Sequence, residues 1–269
     1  MSTPPSLELD STTLAEQYDR LGTRQFYHGL ELLNVLAVQS GERVLDIGCG
    51  TGLLTEAVAE RTGADGEVLG IDPLALRVEL AQKRAQGRFQ ARVGRAEALD
   101  DVPDAHYDVV YFNSVIHWVP DQLAALQHAF RVLKPGGRVG FTTMSQEAPH
   151  DLHLVLRELL AREPRWQTAR VGAPHKLTQE RAALLLAAAG FNVTLNEIRE
   201  FDDAFDTVDE AIAFSRASSF GNFLSALDEA DSARVRQLLG DALEAKRGPR
   251  GIQLKRRMTF AAGRKPVAQ

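Results

Sequence analysis

Residues 43–143 alternate between short, continuously apolar runs and longer segments whose apolar residues recur at helical spacing. No other feature constrains the chain as much. Strands without polar alternation must be buried on both faces, as in a parallel sheet covered by helices. The expected strands are 43–47, 67–71, 89–93, 107–112 and 138–143, with the turn Pro135-Gly136-Gly137 before the last of them. Residues 53–61 and 74–85 carry the helical spacing. So does a segment running to Leu133, opened by Asp121 as N-cap. This order gives a doubly wound α/β sheet with right-handed crossovers.

The flanks complete that sheet. Residues 1–12 are polar and contain proline, and read as a flexible N-terminus. Thr13 to Val38 reads as helix, with Phe26, Leu30, Leu33 and Ala37 on one face and Gly41 as its stop. Beyond Met144 the pattern predicts a helix over 152–161, one from Thr178 to Gly190 and a strand over 191–198. Helices over 208–227 and 231–245 and a last strand over 253–261 follow. Two helices between two late strands do not fit inside a sheet, so about 205–247 reads as a lid on its rim. The run Lys255-Arg256-Arg257 reads as the exposed face of the last strand. No linker rich in Gly, Ser or Pro marks a second domain. The expected division is a core over 13–144, with N-terminal cap helices, and a C-terminal completion over 145–269 in the same domain.

Composition narrows the function classes. The net charge of -5 is dispersed and no basic stripe appears, which argues against nucleic acid. A single cysteine, Cys49, excludes a disulfide framework or a cysteine zinc site within the chain. His128, His150, His153, His175 and Asp151 lack metal-ligand spacing. The N-terminus has no apolar signal region, and no apolar run approaches the ~20 residues that span a bilayer. A cytoplasmic monomer or homodimer without a membrane partner is the expectation.

The first strand runs directly into Gly48-Cys49-Gly50-Thr51-Gly52 and then a helix. Ligands of open α/β sheets bind at such strand ends, and glycines there read as leaving bare backbone for a ligand. A dinucleotide fingerprint needs its third glycine where Leu53 stands. A P-loop needs a Gly-Lys-Ser/Thr that is absent. The second strand ends in Gly70-Ile71-Asp72-Pro73, and an acid about twenty residues beyond the turn accepts ribose hydroxyls. Pro73 suits the first position of the helix that follows. A ribose site without a phosphate site implies a nucleoside carrying some other group.

The stretches "VLDIGCGTG", strand-end Asp72, "YDVVYFNSVIHWVPD" and "RVLKPGGRV" together resemble the class I S-adenosylmethionine methyltransferases. The likeness is nearest to the small-molecule branch with ubiquinone-pathway and trans-aconitate methyltransferases, and covers about Leu14 to Met144. It implies a Rossmann-like, mostly parallel seven-stranded sheet and S-adenosyl-L-methionine as cofactor. It also implies that Asp46, Gly48, Cys49 and Gly50 hold the methionine end, Asp72 with Pro73 the ribose, and Ala96 with Glu97 the adenine edge. Asn113 and Ser114 would line the methionine portion, and Tyr18 and Arg24 would close over its carboxylate. Two positions depart from the family pattern. Arg95 stands where an acid often accepts the adenine amino hydrogen, and Arg77 where methionine or leucine often packs on adenine. A guanidinium stacks on aromatic faces but accepts no hydrogen bond.

The resemblance implies methyl transfer to oxygen or carbon of a small organic acid, phenol or quinone-like compound. His117 is the candidate base. Tyr27, His117, Trp118, Met144, Arg216, Ser219 and Asn222 are the candidate substrate contacts. His117, Trp118 and Arg216 have plainer readings as loop bracing, core packing and a solvated charge, and Cys49 reads as a small packed thiol rather than a nucleophile. Two alternatives stay open: methylation of a trivalent arsenical or organoarsenical, and a cofactor-binding module without transferase activity. A nicotinamide oxidoreductase is disfavoured by Leu53.

Overall fold

The structure is a computed structural model and describes residues 6–169 and 171–267. Of the expected N-terminal tail, residues 1–5 lie outside the described residues. The elements are α1 (Thr12–Leu21), α2 (Thr23–Val35), β1 (Arg43–Ile47), α3 (Leu53–Thr62), β2 (Glu67–Asp72), α4 (Ala75–Ala85) and β3 (Gln90–Val93). They continue with β4 (Tyr107–Asn113), α5 (Gln122–Val132), β5 (Leu133–Met144), α6 (Asp151–Leu160), α7 (Gln179–Ala188) and β6 (Asn192–Phe205). The last are α8 (Val208–Ser218), α9 (Glu229–Glu244), β7 (Arg247–Gly248) and β8 (Gly251–Arg264). Among the described residues the sheet order is β3-β2-β1-β4-β5-β8-β6, with β7 beside β8. The seven expected strands are present, and the two-residue β7 is an addition.

The chain forms two compact units. One comprises residues 23–146, 175–198 and 258–269 and is called the sheet unit below. In it β1, β2, β3, β4 and β5 pair in parallel, and β8 joins β5 antiparallel from Met144↔Met258 to Arg138↔Arg264. Leu45, Ile47, Val110, Phe112, Val139 and Phe141 on the strands pack with Leu126, Ala129, Leu185 and Leu186 from the helices. Asp121 accepts from the Ala124 N–H at 2.9 Å, and Thr178 from the Arg181 N–H at 3.1 Å, so both expected caps form. The expected Pro135-Gly136-Gly137 turn is a kink inside β5 instead. Tyr107 pairs with Leu133, the next pair is Val109 with Arg138, and Gly136 takes a φ of 79°.

The other unit comprises residues 1–22, 147–174 and 199–257. Its core joins Leu156 and Leu159 of α6, Trp166, Ala211 of α8, Val235, Leu239 and Leu243 of α9, and Ile252 and Leu254. Several sequence expectations are corrected along the chain. The helix expected over 13–38 is two helices, because Gly22 caps α1, its N–H donating to Tyr18 O at 2.7 Å. In α2 the buried residues are His28, Gly29, Leu32 and Leu33 rather than the Phe26–Leu30–Leu33–Ala37 stripe, and Ala37 lies beyond the helix at a φ of 48°. The helix expected to reach Leu227 stops at Ser218, since Phe220 and Gly221 turn left-handed at φ 42° and 86°. A Cβ on Gly221 would stand 2.7 Å from Leu9 O, so only glycine fits there. Arg256 is not on an exposed face. The two-residue strand period puts it with Ile252 and Leu254, where it pairs with Asp203 (2.7 Å) over the Phe201 ring.

No helix among the described residues is long and apolar enough to cross a membrane, and no group of three His, Cys, Asp or Glu side chains there could hold a metal.

Candidate functional site

The strand order reverses between β1 and β4, and open α/β sheets bind ligands at the carboxyl ends flanking such a point. Those ends carry the 48–52 turn, Asp72 and the 113–118 segment.

The turn is held by its own chain. Gly48 and Gly52 both have φ of 82°. A Cβ on Gly48 would lie 2.1 Å from Val115 Cγ2, and one on Gly52 3.0 Å from Ala81 Cβ and 3.1 Å from Phe89 Cζ. On the Cβ side of both positions, Val115, Ala81 and Phe89 of the chain itself take the space. Gly50, at φ 55°, differs: its N–H donates to Asp72 Oδ2 at 2.9 Å.

Asp72 is buried, and its Oδ1 accepts from the Leu74 N–H at 2.9 Å. Two backbone donors from two loops thus fix the carboxylate. A carboxylate presents two acceptor oxygens side by side, the chemistry that two neighbouring hydroxyls require. Pro73 is not the first helical residue, since α4 begins at Ala75 with Leu74 as N-cap. After β3, Arg95 and Ala98 bridge a tight turn around buried Ala96 and half-buried Glu97, and the Gly94 N–H donates to Asp72 O at 3.1 Å. Arg77, one turn into α4, is buried.

Asp46 is buried at the end of β1 and accepts from Thr55 Oγ1 at 2.6 Å. Burial, against the Thr55 and Tyr111 hydroxyls and with the charge of Asp72 adding to it, lifts its pKa to about 7. Cys49 is buried beside Gly70, where a Cβ would come within 2.8 Å of it, and burial pushes its thiol up.

At the end of β4, Asn113 donates to Gln25 O (2.9 Å) and accepts from Thr142 Oγ1 (2.8 Å). Ser114 has a left-handed φ of 61°, and its hydroxyl meets His28 Nε2 at 2.9 Å. Gln25 Oε1 is buried without a hydrogen-bond partner. Gln25 and His28 were missed by sequence reasoning. The available signal was Gly29, a glycine inside a helix, where a Cβ would meet Leu54 Cδ2 at 2.6 Å and Asn113 Nδ2 at 2.7 Å. Such a glycine marks a close approach.

His117 is buried on a short 3₁₀ turn. Its Nδ1 lies 3.1 Å from Thr143 Oγ1 and accepts from the Met144 N–H at 3.3 Å. Those bonds commit the lone pair of the neutral ring and assign the proton to Nε2. Trp118 and Met144 are half-buried beside it in sequence and register, Arg24 is half-buried in α2, and Tyr27 is 64% exposed.

Tyr18, Arg216, Ser219 and Asn222 belong to the other unit. Tyr18 is half-buried in α1, and Arg216 is exposed on α8. Ser219 Oγ donates to Ser215 O (2.7 Å) and accepts from the Phe223 N–H (3.1 Å), closing the end of α8. Asn222 accepts from the Ser6 N–H and donates to Ser6 O, both at 2.9 Å.

The donor set in the sheet unit fits a nucleoside with a positively charged tail. It offers an oriented carboxylate at Asp72, a buried acid at Asp46 with no cation paired to it among the described residues, and an acceptor at Gln25 awaiting a donor.

A family profile described as a methyltransferase domain matches residues 38–190, more than half of the chain. The chain is 34% identical over 146 residues to a demethylmenaquinone methyltransferase of Lactobacillus johnsonii, covering 50% of this chain and 59% of that protein. It is 40% identical over 111 residues to a ubiquinone biosynthesis O-methyltransferase of Pseudomonas fluorescens, covering 40% and 46%. The chain thus spans about half the length of these curated relatives. A solved SAM-dependent methyltransferase from Aquifex aeolicus matches with a TM-score of 0.54 at 18% identity, over 69% of this chain and 91% of that one, a likeness of fold.

Proposed function

The chain belongs to the methyltransferase-domain family, and from that premise we propose that it moves a methyl group from S-adenosyl-L-methionine to a small organic molecule. The acceptor atom is oxygen or carbon of an organic acid, phenol or quinone-like compound. The observation that carries this reading is Asp72, its carboxylate fixed by the Gly50 and Leu74 N–H groups at the reversal of strand order.

The donor, when bound, supplies an activated methyl on a positive sulfur. In this reading Asp72 grips the ribose hydroxyls, and the 95–98 turn and Arg77 meet the adenine. The 48–52 turn, Asn113 and Gln25 hold the amino-acid end. Alignment of this kind contributes ~7–11 kcal/mol, and the closely packed strand ends keep the site dry. A base adds ~10²–10⁴-fold only when the acceptor must lose a proton. For a hydroxyl acceptor, His28 is the ring placed to hold that proton, through Ser114. His117 donates from Nε2 and positions its loop.

An organic acceptor is favoured over an arsenical because metalloid capture rests on several thiolates. This chain has Cys49 alone, buried and held protonated. The test is thermal stabilisation by S-adenosylmethionine, S-adenosylhomocysteine and NAD, followed by labelled-methyl transfer to a panel of organic acids, phenols and arsenite. The reading expects stabilisation by the first two only and label in an organic acceptor. Binding without transfer to any acceptor would leave the module reading, and stabilisation by NAD alone would replace both.

A further inference from the structure

Beyond a place at the methionine end, the donor reading gives the buried acid Asp46 no proton chemistry. It sits on β1 opposite Gly70 of β2 and Tyr111 of β4, with Thr55 of α3 above it. The groups facing it are all neutral or acid: Asp72 from β2, Cys49 from the turn, the Tyr111 phenol and the Thr55 hydroxyl. No lysine, arginine or histidine pairs with it among the described residues. A carboxylate buried in such company is unstable unless something positive arrives.

The methyl donor carries a permanent positive charge on sulfur that its demethylated product lacks. We propose that Asp46 tells the two apart: it releases its proton when the charged nucleoside binds and regains it when the neutral thioether takes its place. The inference rests on the donor reading above. The exchange balances simply. The carboxyl O–H breaks, the electron pair stays on the carboxylate, and the proton passes to buffer; replacement by the thioether reverses each step. Because the empty site holds that proton up to a pH of about 7, the exchange falls in the neutral range, and donor affinity there rises with pH while product affinity does not. Fresh donor is thereby favoured over spent product without any contact to the methyl group itself.

Isothermal titration calorimetry in two buffers of different ionisation enthalpy counts the protons directly, with no acceptor and no turnover. At pH 7 the wild type is expected to release about half a proton more with S-adenosylmethionine than Asp46→Asn does. With S-adenosylhomocysteine the two proteins should give equal counts. Thr55→Val removes a hydrogen bond that lowers the pKa of Asp46, so it should move half-maximal release to higher pH. It supplies the test if Asp46→Asn does not fold. Equal proton counts for both ligands in the wild type, or a count unchanged in Asp46→Asn or in Thr55→Val, overturns the inference alone. Failure of both nucleosides to bind overturns the donor reading and the inference with it.

Discussion

In both units buried polar side chains bond to backbone, yet the consequences differ. Asp72 in the sheet unit stands at the carboxyl end of β2, where the Gly50 and Leu74 N–H groups fix its carboxylate. Ser219 and Asn222 in the other unit use their bonds to finish α8 and to pin residue 6. Asp72, Ser219 and Asn222 are all buried. Place in the topology is what differs, because only parallel strand ends at a reversal of order leave a crevice, and Asp72 stands at one.

Substitutions can break that contrast, beginning with the most severe. Gly48→Val combines a left-handed φ with a Cβ 2.1 Å from Val115, so it should cost about 5 kcal/mol in denaturant unfolding. Gly87→Ala has a φ of 80° but nothing within 4 Å, and should cost only about 1 kcal/mol. Similar costs for both would mean that backbone conformation, not the Val115 contact, decides the turn.

Next is the pH response of Asp46. Its folded pKa is raised to about 7, so the folded protein keeps a proton that the unfolded chain has released. Stability from this group is full below about pH 4 and is lost as pH rises through about 7. Between pH 4 and pH 8 the wild type should lose on the order of 4 kcal/mol relative to Asp46→Asn. Parallel stability curves for the two proteins would contradict the assignment.

In the other unit, Asp203→Ala removes the carboxylate paired with the buried Arg256 guanidinium and should cost about 3 kcal/mol, while Asp203→Leu with Arg256→Met should restore most of it. The smallest effect belongs to Asn222→Ala. Loss of the Ser6 bonds should cost about 1–2 kcal/mol and speed proteolysis near residue 6, with KM for any acceptor unchanged. A raised KM without loss of stability would move Asn222 from structure into the site.

The strands of the sheet unit were legible because continuous apolar runs have one stable home, and the turn because three glycines crowd one strand end. What those glycines accommodate was not legible. Val115, Ala81 and Phe89 come from distant positions, and only the folded register brings them to Gly48 and Gly52. His28 and Gln25 were hidden for a related reason. Helical spacing in α2 fits two faces almost equally well, and the pairing of His28 with Ser114 decides between them. In the other unit, apolar spacing alone could not reveal that Gly22 divides a helix or that Phe220 and Gly221 end one. A strand's period of two did suffice to bury Arg256, had its alternation been carried through Ile252 and Leu254.

A crystal structure with S-adenosylhomocysteine tests the central claim most directly. The account predicts both ribose hydroxyls within hydrogen-bond distance of the Asp72 carboxylate, with the amino-acid chain running past Gly50 toward Asn113. A nucleoside found elsewhere, or one seated here with its sugar turned away from Asp72, would contradict it.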